Sequence, residues 1–335
     1  RPDAQRPAHP ANRLPVMPMP DTAMAQPGRP VCGELAAVIT SFNQGSMIRD
    51  ALESLYRQTM LPARILVVDD GSTDPATLEL LQAIPSMPDA PVPATVFRQA
   101  NKGVSAARNA GVQHTSTPFV LILDGDDKLE PDYLEQVVGL LKSSPEMVAA
   151  SAWMHTFGVL EAEVRPIGGR LPEFLVRNCC PATHVMRRSA WNACGGYDET
   201  MRSGFEDWDF FLGLLETAPD AWIGIVDKPL LDYRTAPASS NVRSMSKRLA
   251  LMEYLIQKHS RSYHQYLTQA LLGLEAISMG RLAGWESEIR AAAAQGQAHS
   301  PESSAFLALP SYGDGGMAAA VRIATAHRAA KDDMN

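Results

Sequence analysis

A chain of 335 residues with 45% hydrophobic content is long enough to bury a full α/β core and carry a smaller appended element. Its formal net charge of −7 excludes a nucleic-acid binder that works by broad phosphate neutralisation. The four cysteines, Cys32, Cys179, Cys180 and Cys194, have no metal-ligand spacing and read as reduced cytoplasmic thiols. No apolar run approaches the roughly 18 residues of a membrane span and no signal-like stretch opens the sequence, which begins at Arg1.

Residues 1–33 are rich in proline and small polar residues and have no hydrophobic period, so they are expected to be a disordered leader outside the fold. Leu35–Ile39 then reads as a short buried strand. Met47–Gln58 follows with Ile48, Ala51, Leu52, Leu55 and Tyr56 at helical spacing. The pattern repeats: Ile65–Val68 is a β-branched strand, and Asp74-Pro75 predicts an N-cap with proline in the first turn. Thr95–Arg98 predicts a third strand, Val104–His114 a third helix and Phe119–Leu123 a fourth strand. Pro131 opens a helix with Leu134, Val137, Val138 and Leu141 on one face.

This alternation predicts a doubly wound, mostly parallel sheet flanked by helices, with ligands gathering outside the carboxyl ends of the strands. From about residue 145 to 245 the pattern loosens, with candidate strands at Met147–Ala152, Thr183–Met186 and Trp222–Val226 and a helix at Glu206–Thr217. Residues 246–335 read as a C-terminal helical region, with apolar Leu249, Met252, Leu255 and Ile256, then Tyr266, Leu267, Ala270, Leu271 and Leu274.

Polar clusters at Thr40–Gly45, Asp69–Asp74 and Asp124–Asp127 sit at predicted strand ends, and a fourth opens a helix. Asp124-Gly125-Asp126 has the oxygen ligands that suit Mn²⁺ or Mg²⁺, although such a tripeptide alone is more often an acidic turn. Asp69 and Asp70 are acceptor-only carboxylates that can take a base N–H or a ribose hydroxyl. Glu206-Asp207-Trp208-Asp209 opens a helix, where acids are also favourable to the macrodipole.

Taken together, Ala37-Val38-Ile39-Thr40-Ser41-Phe42-Asn43, Ile65 through Asp74, Asn101 through Asn109, Leu123 through Asp127 and Glu206 through Asp209 resemble family 2 glycosyltransferases of the GT-A fold. The resemblance spans roughly residues 34–245, the expected catalytic domain. It implies inverting transfer of a sugar from a nucleoside-diphosphate sugar, with UDP-sugars favoured, to a hydroxyl acceptor. That acceptor would be a saccharide, a lipid-linked saccharide or a protein, in cell-surface polysaccharide, glycolipid or glycoprotein synthesis.

It implies further that Asp124 and Asp126 form the D-x-D metal site, with Asp126 closest to the metal and His184 a weaker third candidate. Thr40, Ser41, Asn43, Asp69, Asp70, Asn101, Gly103, Arg108, Asp124 and Gly125 would line the donor nucleotide. Arg108 is read either as meeting phosphate or as bracing the aspartates. Asp207 would be the base, while Glu206, Trp208 and Asp209 would contact acceptor or sugar. Trp208 also fits a core stripe with Phe211, Leu212 and Leu215. The competing class is a non-catalytic nucleotide-sugar or partner-docking module on the same fold. The expected location is the cytoplasm or the inner face of the membrane, with the C-terminal helices left to contact a partner, a second subunit or a membrane surface.

Overall fold

The computed structural model describes residues 29–237, 240–294, 301–311 and 315–332. The expected leader lies outside these up to residue 28. The first strand, β1 (Val31–Ser41), starts ahead of the expected Glu34 because Val31 and Cys32 pair with Leu61 and Pro62.

In chain order there follow α1 (Met47–Tyr56), β2 (Leu61–Asp69), α2 (Pro75–Ala83), β3 (Ala94–Arg98), α3 (Val104–Gln113), β4 (Phe119–Asp124), β5 (Lys128–Leu129) and α4 (Tyr133–Lys142). Then come β6 (Met147–Gly158), β7 (Ala162–Val164), α5 (Leu171–Val176), β8 (His184–Arg187), α6 (Arg188–Cys194), α7 (Glu206–Leu215) and β9 (Trp222–Thr235). The helices α8 (Ser240–Met245), α9 (Arg248–Lys258), α10 (Ser260–Gln265), α11 (Leu267–Ala294), α12 (Pro301–Ala308) and α13 (Gly316–Asp332) end the chain.

Two compact units are present. One runs to Leu171 and from Asn178 to Lys258; the other takes Pro172–Arg177 and the chain from His259. The division therefore falls after the expected boundary at 245/246, because α9 and its Lys258 belong with the first unit.

In the first unit nine strands form one sheet in the order β3-β2-β1-β4-β8-β6-β9-β5, with β7 on β6. The strands β1, β2, β3, β4, β6 and β9 share one direction, while β8, β5 and β7 oppose it. β1 is central, which explains why Leu35–Ile39 is apolar without alternation: both faces are covered. One face, with Leu35, Ala37, Ile39, Ile65, Val67, Leu121 and Leu123, packs on Leu52 and Leu55 of α1 and on Leu134, Val137 and Leu141 of α4. Each such fully buried leucine or isoleucine contributes roughly 1.5–3 kcal/mol.

The opposite face meets α3, where a Cβ on Gly111 would collide with Val38, and α7, whose Phe211 stands edge-on to His184. Asp74 caps α2 as expected, accepting from the Thr77 amide at 2.8 Å, with Pro75 at the start. These bonds hold its carboxyl below the usual range.

The strand expected at Trp222–Val226 runs on to Thr235, with register shifts where β6 passes Pro229. Two extended segments and three helices were not foreseen: β5 and β7, α5, α6 and α8. The second unit is helical. Trp285 of α11 packs edge-on against Phe306 of α12 at 4.4 Å, and Arg322 of α13 forks onto Glu286 at 3.0 and 2.7 Å. The expected apolar faces are only partly buried: Leu255 and Ala270 are covered, whereas Leu249, Ile256, Leu267, Leu271 and Leu274 are exposed. Among the described residues no helix is long and apolar enough to cross a membrane.

Candidate active site

Parallel register brings the polar clusters to one edge. Thr40 stands opposite Asp124 across β1 and β4, and Ser41 opposite Asp69 across β1 and β2. A Thr40 hydroxyl donates to Asp124 Oδ1 at 3.1 Å, and the Gly125 amide donates to the Thr40 carbonyl at 2.9 Å. Gly125 is required there because any Cβ would sit 2.7 Å from that carbonyl oxygen. Ser41 Oγ is buried and has no hydrogen-bond partner among the described residues.

The donor-side loops hold one another. Asn43 Oδ1 accepts from the Thr73 and Asp74 amides at 2.8 and 2.9 Å, so its carbonyl oxygen is committed to the second loop. Asp69 is fully buried, bonded to the Ser72 hydroxyl and amide and paired with Arg98 Nε at 3.0 Å. Asp70 accepts from Gln99 Nε2 at 2.7 Å and from the Lys102 and Gly103 amides at 2.9 and 2.7 Å. Gly103 reaches Asp70 at φ +93°, a conformation that favours glycine, while the Asn101 side chain is exposed. Asp69 and Asp70 thus brace the loops that follow β2 and β3.

The acidic turn after β4 gathers three carboxylates. Arg108, only 2% exposed, forks onto Asp124 at 2.9 and 3.0 Å and reaches Glu206 Oε1 with its other terminal nitrogen at 3.1 Å. Of the two expected roles it has the bracing one, and these acids hold its guanidinium fully charged despite burial. Asp127 is buried and accepts from the Arg234 amide at 2.9 Å; burial and the neighbouring Asp126 and Asp124 push its carboxyl well up. Asp126 is raised by burial and by Asp124, and its Oδ1 accepts from Gln44 Nε2 at 3.1 Å.

Asp126 and Asp127 lie in one turn with Asp124 and are both raised by burial and by acidic neighbours, a strain that a divalent cation would relieve. Asp126 and Asp124 therefore fit a metal. His184 is fully buried: its ring Nδ1–H donates to the Ala182 carbonyl at 2.7 Å, burial lowers it to about 4, and its Nε2 has no hydrogen-bond partner among the described residues. Among the described residues no three His, Cys, Asp or Glu side chains converge as a metal cage. His184 is a core histidine against Phe210 and Phe211.

At the start of α7, Asp207 Oδ1 accepts from the Trp208 amide at 2.8 Å and Oδ2 from Asn178 Nδ2 at 2.9 Å. Burial, then Glu206, raises it to about 7. Its neighbours in the expected acceptor set lie elsewhere. Asp209 is buried and paired with Lys258 at 2.8 Å, and Trp208 is 2% exposed against Phe205. The core reading of Trp208 therefore holds, since residues 208, 211, 212 and 215 share the buried stripe. Phe205, just before the helix, has φ +64°, a strained conformation for a bulky residue that turns the acidic pair at the head of α7.

Gln44 and Asn178 were missed by sequence reasoning. The sequence reading marks the segment Asp232-Tyr233-Arg234, through the family resemblance, as a place for a third metal or phosphate contact. Arg234 donates from Nε to the Asp126 carbonyl at 3.0 Å and lies 4.5 Å over the Phe157 ring.

At the carboxyl edge of the mostly parallel sheet, an acidic turn is joined to Glu206 through the buried Arg108. Residues 36–193 match the model described as glycosyl transferase family 2. YwdF of Bacillus subtilis, an uncharacterized glycosyltransferase, is 25% identical over 236 residues, covering 68% of this chain and 84% of that protein. The putative glycosyltransferase EpsH of the same organism is 32% identical over 114 residues, 34% of this chain and 32% of its own length. Among solved structures, S. aureus TarS 1-349 in complex with UDP-GlcNAc shares the fold with a TM-score of 0.54 at 16% identity, covering 70% of this chain and 72% of that one. Against the longer TarS chain the TM-score is 0.53 at 17% identity, and the match covers 70% of this chain and 43% of that chain.

Proposed function

We propose that the protein transfers a sugar, with inversion, from a nucleoside-diphosphate sugar to an acceptor hydroxyl, with Asp207 as base. The observation that carries this is the half-buried Asp207 carboxylate, held by Asn178 and the Trp208 amide, raised to about 7, and next to Glu206, which Arg108 joins to Asp124 at the sheet edge. A base works best with a pKa near the operating pH. Asp207 takes the acceptor proton as the hydroxyl oxygen attacks the anomeric carbon. The new carbon–oxygen bond forms as the bond to the diphosphate breaks, and the electron pair leaves with the diphosphate.

Asp126 and Asp124 would hold Mn²⁺ or Mg²⁺, which supplies charge neutralisation to the departing diphosphate. Thr40, Ser41 and Asn101 line the donor edge that Asp69 and Asp70 brace, and the orphan hydroxyl of Ser41 is the group left for a ligand to satisfy. A UDP-sugar is the favoured donor, supported by the structural likeness to a protein solved with UDP-GlcNAc. A role in polysaccharide synthesis is supported by a 32% identity over 105 residues, 31% of this chain and 29% of that protein, to the succinoglycan biosynthesis protein ExoO of Rhizobium meliloti.

Calorimetric titration with UDP, GDP, CDP and dTDP, each with and without Mn²⁺, tests the donor site. Metal-dependent binding of one of them, lost in Asp126→Ala, is expected; no binding to any of the four would overturn the reading. For the base, Asp207→Asn is expected to abolish transfer while nucleotide binding persists.

A further inference from the structure

The chain leaves the catalytic unit after Leu171, gives Pro172–Arg177 to the helical unit and re-enters at Asn178. Those six residues are fastened among helices. Phe174 and Leu175 are buried, and the Tyr263 hydroxyl of α10 donates to the Leu175 carbonyl at 3.0 Å. Val176 lies so close to α11 that a Cβ on Gly273 would sit 2.5 Å from Val176 Cγ2. Two residues further on, the Asn178 amide is oriented at both ends: its Oδ1 accepts from the Cys180 amide at 3.2 Å and its Nδ2 donates to Asp207. With the Trp208 amide on the other oxygen, the Asp207 carboxylate is held from both sides.

We propose that Asn178 is the positioning residue for Asp207, and that the C-terminal helical unit governs the base through the covalent step from Val176 to Asn178. The inference rests on the reading of Asp207 as base. A carboxylate free to rotate about its terminal torsion would present either oxygen in a range of directions. Fixing both confines the remaining lone pairs to the direction from which an acceptor hydroxyl must approach, and a misplacement of about 1 Å costs roughly 10²-fold in rate. The helical unit thereby acquires a role in catalysis through six residues of backbone.

The test uses the whole chain and reads kcat, donor KM and the pH profile. The ionisable groups near Asp207 are Glu206 on its own helix, Arg108 on α3, Asp124 on β4, the Cys180 thiol, the Tyr197 phenol after α6 and Tyr233 on β9. All of them stay in place in Asn178→Leu, so a moved profile reports the lost amide bond. Asn178→Leu is expected to lower kcat about tenfold or more with donor KM unchanged. The rising limb should move to higher pH, because a hydrogen bond to the charged form is lost. Wild-type kcat with an unmoved limb overturns the positioning role.

Gly273→Ala is expected to lower kcat by about threefold or more, and Val176→Ala in the same chain to restore it, because the colliding methyls are gone. Tyr263→Phe, which deletes a single hydroxyl, is the gentler companion and should lower kcat in the same direction. Unchanged kcat in both Gly273→Ala and Tyr263→Phe overturns the link to the helical unit. Turnover by Asp207→Asn would instead sink the base reading itself, whereas an inactive Asp207→Asn beside a normal Asn178→Leu removes this inference alone.

Discussion

Replacing Arg108 by methionine removes the guanidinium and leaves two carboxylates facing a closed space. Breaking a buried ion pair by deleting one partner costs about 3–5 kcal/mol, because the remaining charge is uncompensated. Here the Asp124 and Glu206 side chains keep 24% and 15% exposure, so both reach some water, which places the loss near the lower end, about 3 kcal/mol. For a domain of this size that is a fall in Tm of roughly 6–12 °C. Arg108→Lys retains the charge but puts it on one nitrogen, where the arginine reaches Asp124 and Glu206 with two separate nitrogens, so it should lose about half as much. Urea unfolding at neutral pH of wild type, Arg108→Met, Glu206→Gln and the double variant gives the coupling directly. A value of about 1–2 kcal/mol is expected between the two positions. A loss under about 1 kcal/mol for Arg108→Met would refute the reasoning, because it would mean that neither carboxylate depends on the arginine.

With Asp207 raised to about 7, only its deprotonated form accepts a proton, so kcat/KM should rise as pH passes upward through about 7 and level off above. A flat profile from about pH 6 to 8 would count against Asp207 as base. Asp126→Ala should weaken Mn²⁺-supported UDP binding, and calorimetry showing equal wild-type affinity with and without Mn²⁺ would contradict the metal assignment. His184, lowered from 6.5 to about 4 by burial, stays neutral in the fold while the unfolded chain takes up the proton. Its contribution to stability is therefore present above about 6.5 and lost as pH falls toward about 4, in total about 3 kcal/mol. His184→Gln should lack that component when unfolding is followed across this range, and an identical pH dependence would argue that the ring is hydrated.

The βα units were legible because each carries its own period: Ile48, Leu52 and Leu55 mark a helix face whatever they pack against, and Ile65–Val68 is a strand buried on both sides. The second half of β9 was not, because Asp227-Lys228-Pro229 breaks the apolar run and only pairing with β6 keeps it extended. The positions of Asp124, Asp126 and Asp207 at strand and helix ends were legible; the duties of their neighbours were not. Asp209 looks like another site acid until Lys258, 49 residues later, takes it. Trp208 looks like a sugar platform until α7 turns it inward. Asn178 carries no local signal at all, since its meaning depends on an aspartate 29 residues away.

The two partners of Arg108 lie at very different distances along the chain, 16 residues to Asp124 and 98 to Glu206. During synthesis the arginine can therefore meet the β4 carboxylate as soon as that strand has formed beside β1, long before α7 exists. Its second bond must wait for a loop closure of nearly a hundred residues, the slow kind of contact in a chain of this topology. The Asp124 side of this cluster can thus assemble early, with one arm of the guanidinium still unpaired. That arm is then a docking point for the helix that carries Glu206 and Asp207, and the last step of building the cluster is the one that joins its two halves.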